Sequence, residues 1–146
     1  MKAKELMTPN PQVCTSDDRI CDAARLMRDF DVGSLPVVEN SGTNRLIGII
    51  TDRDLVVGPV ADERFTATVA DAMTPNPKTV RTDADVSEVE RIMAENQVRR
   101  IPVVGENGEL AGIITMADVA LEMEDQVEIA ETLEDISSGS GFWSKK

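Results

Sequence analysis

Apolar and polar positions follow one succession of rhythms, and the succession occurs twice. Ile20, Ala23, Ala24 and Met27 recur at helical spacing and predict an amphipathic helix. The β-prone run Val13-Cys14-Thr15 precedes it, and Ser16, followed by acids, reads as the helix start. Two apolar runs follow, Leu35–Val38 and Leu46–Ile50, joined across Asn40-Ser41-Gly42, which predicts a hairpin. A second helix is expected after Thr51. The succession then returns: Thr79-Val80-Arg81, a start at Thr82, and a helical stripe of Val86, Val89, Ile92 and Met93. Strands Ile101–Val104 and Leu110–Ile114 flank Glu106-Asn107-Gly108-Glu109, and a helix follows Thr115. Thr82 and Asp85 have the spacing of a capping box.

The two copies align residue by residue. Met7-Thr8-Pro9-Asn10-Pro11 returns 66 positions later as Met73-Thr74-Pro75-Asn76-Pro77. The offset holds through Pro36-Val37-Val38 and Pro102-Val103-Val104. It becomes 64 for Gly48-Ile49-Ile50-Thr51 and Gly112-Ile113-Ile114-Thr115, and for Asp54 and Asp118. Each copy is therefore a β-α-β-β-α unit of the α/β (α+β) class. One such unit has a sheet face it cannot cover alone, so two packed face to face as one module are expected. The expected domains are repeat 1 over 3–60, repeat 2 over 61–120, an acidic helix over 121–136 and a flexible tail over 137–146. Gly58-Pro59 and Asp62-Glu63-Arg64 mark the link over 57–72 as surface.

Composition narrows the function classes. The chain has 146 residues, no His and a net charge of −12. Imidazole bases and His-ligated metals are excluded, and a general nucleic-acid binder would need a basic face. Cys14 and Cys21 make neither a disulfide framework nor a four-ligand zinc site and read as reduced thiols. No apolar run has the length of a membrane span and no signal-peptide core opens the chain, so a cytoplasmic location is expected. No nucleophile–base pair stands out, so no enzymatic activity and no catalytic cofactor are expected.

These residues resemble the cystathionine-β-synthase (CBS) domain, present as a tandem pair over roughly residues 3–120. The resemblance rests on the Met-Thr-Pro lead-ins, Gly48-Ile49-Ile50-Thr51-Asp52-Arg53-Asp54-Leu55, and Val98-Arg99-Arg100-Ile101-Pro102-Val103-Val104. It implies a stand-alone regulatory module that binds AMP, ADP or ATP in clefts between the repeats, forms a homodimer and signals to a regulated protein. It further implies ribose contacts for Asp54 and Asp118, each paired with Thr51 or Thr115. By themselves those pairs read as helix caps. The implied first cleft combines Thr51, Arg53 and Asp54 with Thr79, Val80, Val98, Arg99, Arg100 and Ile101. Arg99 and Arg100 would face phosphate, and Val80, Val98 and Ile101 the adenine ring. The implied second cleft combines Thr115 and Asp118 with Val13, Cys14, Val32, Gly33, Ser34 and Leu35. Gly33 and Ser34 stand where copy two has Arg99 and Arg100, so the second cleft is expected to bind weakly or to take a less charged ligand.

Charge then separates the ends of the chain. Residues 1–100 hold 13 basic and 17 acidic residues, and 101–146 hold 2 and 10. Val119, Met123, Val127, Ala130 and Leu133, widened by Ile129 and Ile136, predict an amphipathic helix that packs on its own module or docks a partner. Phe142 and Trp143 lie in the expected flexible tail. An interaction protein with vestigial clefts, working through the acidic helix, is the alternative function. A metal-responsive module ranks last, because no ligand loop supports it.

Overall fold

The computed structural model describes residues 1–122 and 131–136. In chain order its elements are α1 (Ala3–Leu6), β1 (Thr8–Pro9), β2 (Cys14–Thr15), α2 (Ile20–Phe30), β3 (Ser34–Val38), β4 (Leu46–Thr51) and α3 (Asp52–Leu55). A π-helical turn, Val56–Val60, follows α3. Then come α4 (Val69–Ala72), β5 (Thr74–Pro75), β6 (Val80–Arg81), α5 (Val86–Asn96), β7 (Arg100–Val104), β8 (Leu110–Thr115) and α6 (Met116–Glu122). Residues 131–136 are helical. The α/β class and the repeated β-α-β-β-α order stand. Of the expected C-terminal helix, Met123, Val127, Ile129 and Ala130 lie outside the described residues, as do Phe142 and Trp143.

The chain forms two compact units, and they are not the two sequence copies. Unit one comprises Met1–Pro9, Lys78–Gly105 and the described part of Ala111–Lys146; unit two comprises Asn10–Pro77 and Glu106–Leu110. Each unit borrows its lead-in helix and edge strand from the other copy. In unit one the sheet order is β1-β8-β7-β6, with β1 antiparallel to β8 and β6 parallel to β7. In unit two it is β2-β3-β4-β5, with β2 parallel to β3 and the other pairs antiparallel. The repeated Thr-Pro dipeptides are thus short edge strands, a place that tolerates proline.

The borrowed helices are held by matching bonds. In unit one the Ala3 and Lys4 N–H groups donate to the carbonyls of Ala84 (2.8 Å) and Thr82 (3.0 Å), and Val86 N–H donates to the Met1 carbonyl (3.0 Å). In unit two Val69 and Ala70 donate to Asp18 (2.7 Å) and Ser16 (3.0 Å), and Ile20 donates to Ala67 (3.0 Å). Helix N-termini leave such donors unpaired, and the turn carbonyls satisfy them. The link is therefore less of a surface segment than its composition suggests. Residues 61–66 are exposed, but Pro59, Ala67 and Val69 are buried.

Both long helices begin later than the acid-rich starts suggest, at Ile20 and Val86 rather than after Ser16 and Thr82. The Asp18 carboxylate accepts from Thr15 N–H (2.9 Å), while Asp18 N–H donates to the Thr15 carbonyl (3.1 Å), which closes a turn ahead of α2. Ile20, Ala23 and Met27 of α2 are buried, and Ala24 faces solvent. In α5 the buried pair is Val89 and Met93. Both helices end on left-handed residues, Asp31 and Gln97, with Val32 N–H on the Met27 carbonyl (3.0 Å) and Val98 N–H on the Met93 carbonyl (3.1 Å). This six-residue closure turns the chain into β3 and β7. Each unit has its own apolar core: Met93, Ile101, Val103, Ile114 and Ile136 in unit one, and Ile20, Leu35, Val37, Ile50 and Val69 in unit two.

Candidate functional site

The strand-to-helix junction after β4 holds Thr51 and Asp54 in a reciprocal cap. Thr51 N–H donates to Asp54 Oδ2 (2.9 Å), and Asp54 N–H donates to Thr51 Oγ1 (3.1 Å). Thr115 and Asp118 repeat the arrangement at 2.8 and 3.3 Å. The helix-cap reading is therefore correct, and it does not exhaust the carboxylates. Each cap uses Oδ2, and Oδ1 accepts no hydrogen bond among the described residues. A capped carboxylate is held in one orientation with a free, half-buried oxygen, which suits it to accept from a hydroxyl.

The hairpin decides which strand start lies beside which cap. In unit one Met116 N–H donates to the Arg99 carbonyl (2.7 Å), so the start of β7 lies against the end of β8. In unit two Asp52 N–H donates to the Gly33 carbonyl (2.9 Å) and Ser34 is in register with Thr51. Arg99 is exposed, Arg100 is half-buried, and neither guanidinium makes an ion pair or hydrogen bond among the described residues. The expected partnership of these arginines with Asp54 joins residues of different units and stands as an expectation. At the matching place in unit two, the Asp52 carboxylate lies 3.4 Å from where a Gly33 side chain would begin. One junction thus carries two bases and the other an acid.

The remaining expected site residues divide by burial. Val80, Ile101, Leu35 and Cys14 are core residues of their units. Val98 is half-buried against the unit-one core, and Thr79 and Val13 are half-buried. Val32 is exposed. Cys14 donates weakly to the Pro36 carbonyl (3.9 Å), and its pKa is pushed up to about 12, first by burial and then by the nearby Asp18 charge. That thiol is neutral and inert at physiological pH. Arg53 lines an exposed depression of about 300 Å³ with Asp52, Val56 and Val57. Asp52 escaped the sequence reading; its place next to Arg53 and ahead of two valines was the available signal.

A duplicated α/β unit with a capped carboxylate at each strand-to-helix junction defines a tandem repeat module. The chain belongs to the CBS-domain family: the family model, described as CBS domain, matches residues 3–58 and 69–125. It is 43% identical over 139 residues to the uncharacterised protein YlbB of Bacillus subtilis, spanning 94% of this chain and 93% of that one. Hypoxic response protein 1 of Mycobacterium tuberculosis is 33% identical over 84% of this chain and 85% of its own. The crystal structure of Hypoxic Response Protein I with two coordinated zinc ions superposes with a TM-score of 0.75, covering 84% of this chain and 99% of that one. The crystal structure of CBSX2 of Arabidopsis thaliana in complex with AMP is 28% identical, with a TM-score of 0.71 over 91% of this chain and 98% of that one. Among the described residues here, no three His, Cys, Asp or Glu groups converge on a metal position, and no helix is long and apolar enough to cross a membrane.

Proposed function

We propose that this CBS pair is a regulatory module that binds an adenine nucleotide and passes the binding on as a change of conformation. The observation that carries the reading is the unit-one junction. There the cap of Asp118 follows β8, whose end is bonded to the start of β7 at Arg99, and among the described residues neither Arg99 nor Arg100 makes a side-chain hydrogen bond or ion pair. A ribose offers hydroxyls to the carboxylate, and a phosphate offers oxygens to the guanidiniums. Half-buried Val98 supplies an apolar surface for the base, and the backbone at Thr79, Val80 and Ile101 supplies donors and acceptors for its edge. Thr51 and Asp54 form the second carboxylate site, which lacks a guanidinium at its strand start and takes the less charged ligand. The AMP complex of CBSX2, at 28% identity, supports a ligand of this class. Binding shifts the module only so far as its conformations differ in affinity.

Titration calorimetry with AMP, ADP and ATP tests the assignment. Removing a charge-assisted hydrogen bond costs about 1.5–3 kcal/mol, so Arg99→Ala and Asp118→Ala each lower affinity about 10- to 150-fold. Asp54→Ala has a smaller effect. The reverse order, with Asp54→Ala dominant and Asp118→Ala mild, returns Arg99 and Arg100 to the partnership expected from sequence. No heat with any nucleotide removes the nucleotide reading and leaves the interaction-protein alternative.

A further inference from the structure

Of the six asparagines, one differs from the rest in what surrounds its side-chain amide. Asn10 and Asn76 precede proline, whose nitrogen carries no hydrogen. The Asn40 side-chain oxygen accepts from Gly42 N–H and Thr43 N–H, both at 2.9 Å. The Asn44 amide donates to the Leu110 carbonyl (3.0 Å), and the Asn96 amide to the Ile92 carbonyl (2.9 Å). Asn107 is exposed, and among the described residues its side-chain amide has no hydrogen-bond partner. The residue after it is Gly108, which has no side chain to crowd the backbone nitrogen. The hairpin dictates this pair. Gly108 takes a φ of +79°, which glycine adopts without strain in the turn between β7 and β8. At the matching place copy one uses Thr43-Asn44, with Asn44 at +53°.

We propose that Asn107 is a site of self-modification, at which the Gly108 backbone nitrogen displaces the side-chain amide nitrogen. Hydroxide takes the proton of Gly108 N–H, and the nitrogen attacks Asn107 Cγ. A C–N bond forms, the Cγ–Nδ2 bond breaks, and ammonia leaves with its third hydrogen drawn from water, which regenerates hydroxide. The product is a cyclic imide. Water then opens it at either carbonyl, leaving aspartate at 107 or an isoaspartyl link that runs through the side chain. No oxidant or reductant takes part. Ring closure requires the side chain to leave its staggered rotamer, so hydrogen bonds that fix the amide oppose it, as at Asn40, Asn44 and Asn96. Either product adds a carboxylate to a turn that already carries Glu106 and Glu109. The isoaspartyl link also lengthens the backbone just ahead of Gly108, whose carbonyl accepts from Leu46 N–H (3.1 Å). It thereby loosens the bond that ties this turn to the start of β4. The proposal is independent of nucleotide binding.

Peptide mapping by mass spectrometry tests it, on the full chain aged at neutral and mildly alkaline pH. The Asn107 peptide converts to two products of equal mass and different retention, at a rate that rises with hydroxide, while the other asparagines stay intact. Asn107→Gln keeps its amide. Ser41→Gly creates a second Asn-Gly pair at Asn40, whose two hydrogen bonds slow its conversion about 30-fold relative to Asn107. The separated isoaspartyl protein melts below Asn107→Asp, which matches it in charge. An Asn107 amide that outlasts any other asparagine overturns the proposal. So does a single aspartyl product, because direct hydrolysis passes through no cyclic imide, and so does Asn40 converting as fast as Asn107 in Ser41→Gly. Equal melting of the isoaspartyl and Asn107→Asp proteins overturns the loosening at Leu46. Should Ser41→Gly lose the wild-type circular dichroism, Asn40, Asn44 and Asn96 of the wild type serve as the comparison.

Discussion

Replacing Gly112 by Ala tests the origin of the repeated Met-Thr-Pro lead-ins. A methyl group there would lie 2.5 Å from Met7 Sδ and 2.7 Å from the Thr8 carbonyl oxygen. The sulfur belongs to a flexible side chain and can swing aside. The carbonyl belongs to β1, which is paired with β8 at Thr8–Ile113 and Pro9–Gly112, and it can move only if the edge strand lifts. Overpacking of this kind costs about 1–3 kcal/mol, offset by about 0.4–1 kcal/mol from the stiffer unfolded chain. The net loss of about 1–2 kcal/mol corresponds to a Tm lower by roughly 2–8 °C at this chain length. Gly48→Ala is milder, since its methyl meets Met73 Sδ at 2.7 Å and the Thr74 carbonyl at 3.0 Å. Gly58→Ala meets no heavy atom within 4 Å and raises Tm by its unfolded-state effect alone. Adding Met7→Ala to Gly112→Ala relieves the sulfur clash but not the carbonyl one, so it does not return stability to that of Met7→Ala alone. Thermal and urea unfolding followed by circular dichroism read all five variants against the wild type. A Gly112→Ala protein as stable as wild type, or a full rescue by Met7→Ala, would falsify the close approach.

Three further outcomes follow from burial. Cys14 titrates in the folded protein at about 12, against an ordinary value of 9.0. Between those values the unfolded chain has released a proton that the folded chain keeps. The contribution is therefore present below pH 9 and is lost as pH rises toward 12. Cys14→Ala flattens that alkaline decline. A thiol reagent labels exposed Cys21 in the native protein and Cys14 only on unfolding, and equal labelling rates would contradict the burial. Ile101→Ala, at a fully buried core position, costs about 2–5 kcal/mol with or without nucleotide. An affinity loss at unchanged Tm would return Ile101 to the ligand.

The elements were legible because they are local. Helical spacing marked α2 and α5, and paired apolar runs around Asn and Gly marked both hairpins. The exchange of lead-in segments was not legible. Met7-Thr8-Pro9 and Met73-Thr74-Pro75 are identical, so nothing in them tells Gly112 from Gly48 as the partner. The helix starts moved to Ile20 and Val86 because side chains such as Asp18 closed turns before the helices could begin. Both caps were visible as Thr-x-x-Asp. The bond that ties the Arg99 carbonyl to Met116 was not legible, because it depends on the β7–β8 pairing. The burial of Val80 and Ile101 was not legible for a related reason: an apolar residue on a short strand faces either core or cleft, and only the packed sheet says which.

The two copies serve as internal controls for one another, and that locates function within the chain. Positions that match, such as the Met-Thr-Pro edges, the glycines they press on and the Thr-x-x-Asp caps, are accounted for by bonds and close approaches that recur in both units. Those features build the scaffold whether or not anything binds. Positions that differ do no such work. Arg99-Arg100 against Gly33-Ser34, and Asp52-Arg53 against Met116-Ala117, change the charge at sites where the backbone bonds are the same: Met116 N–H to the Arg99 carbonyl, and Asp52 N–H to the Gly33 carbonyl. A charge placed on an unchanged backbone is not needed for folding. Its effect has to be sought in what it attracts, which at the unit-one junction is the anion of the proposed ligand.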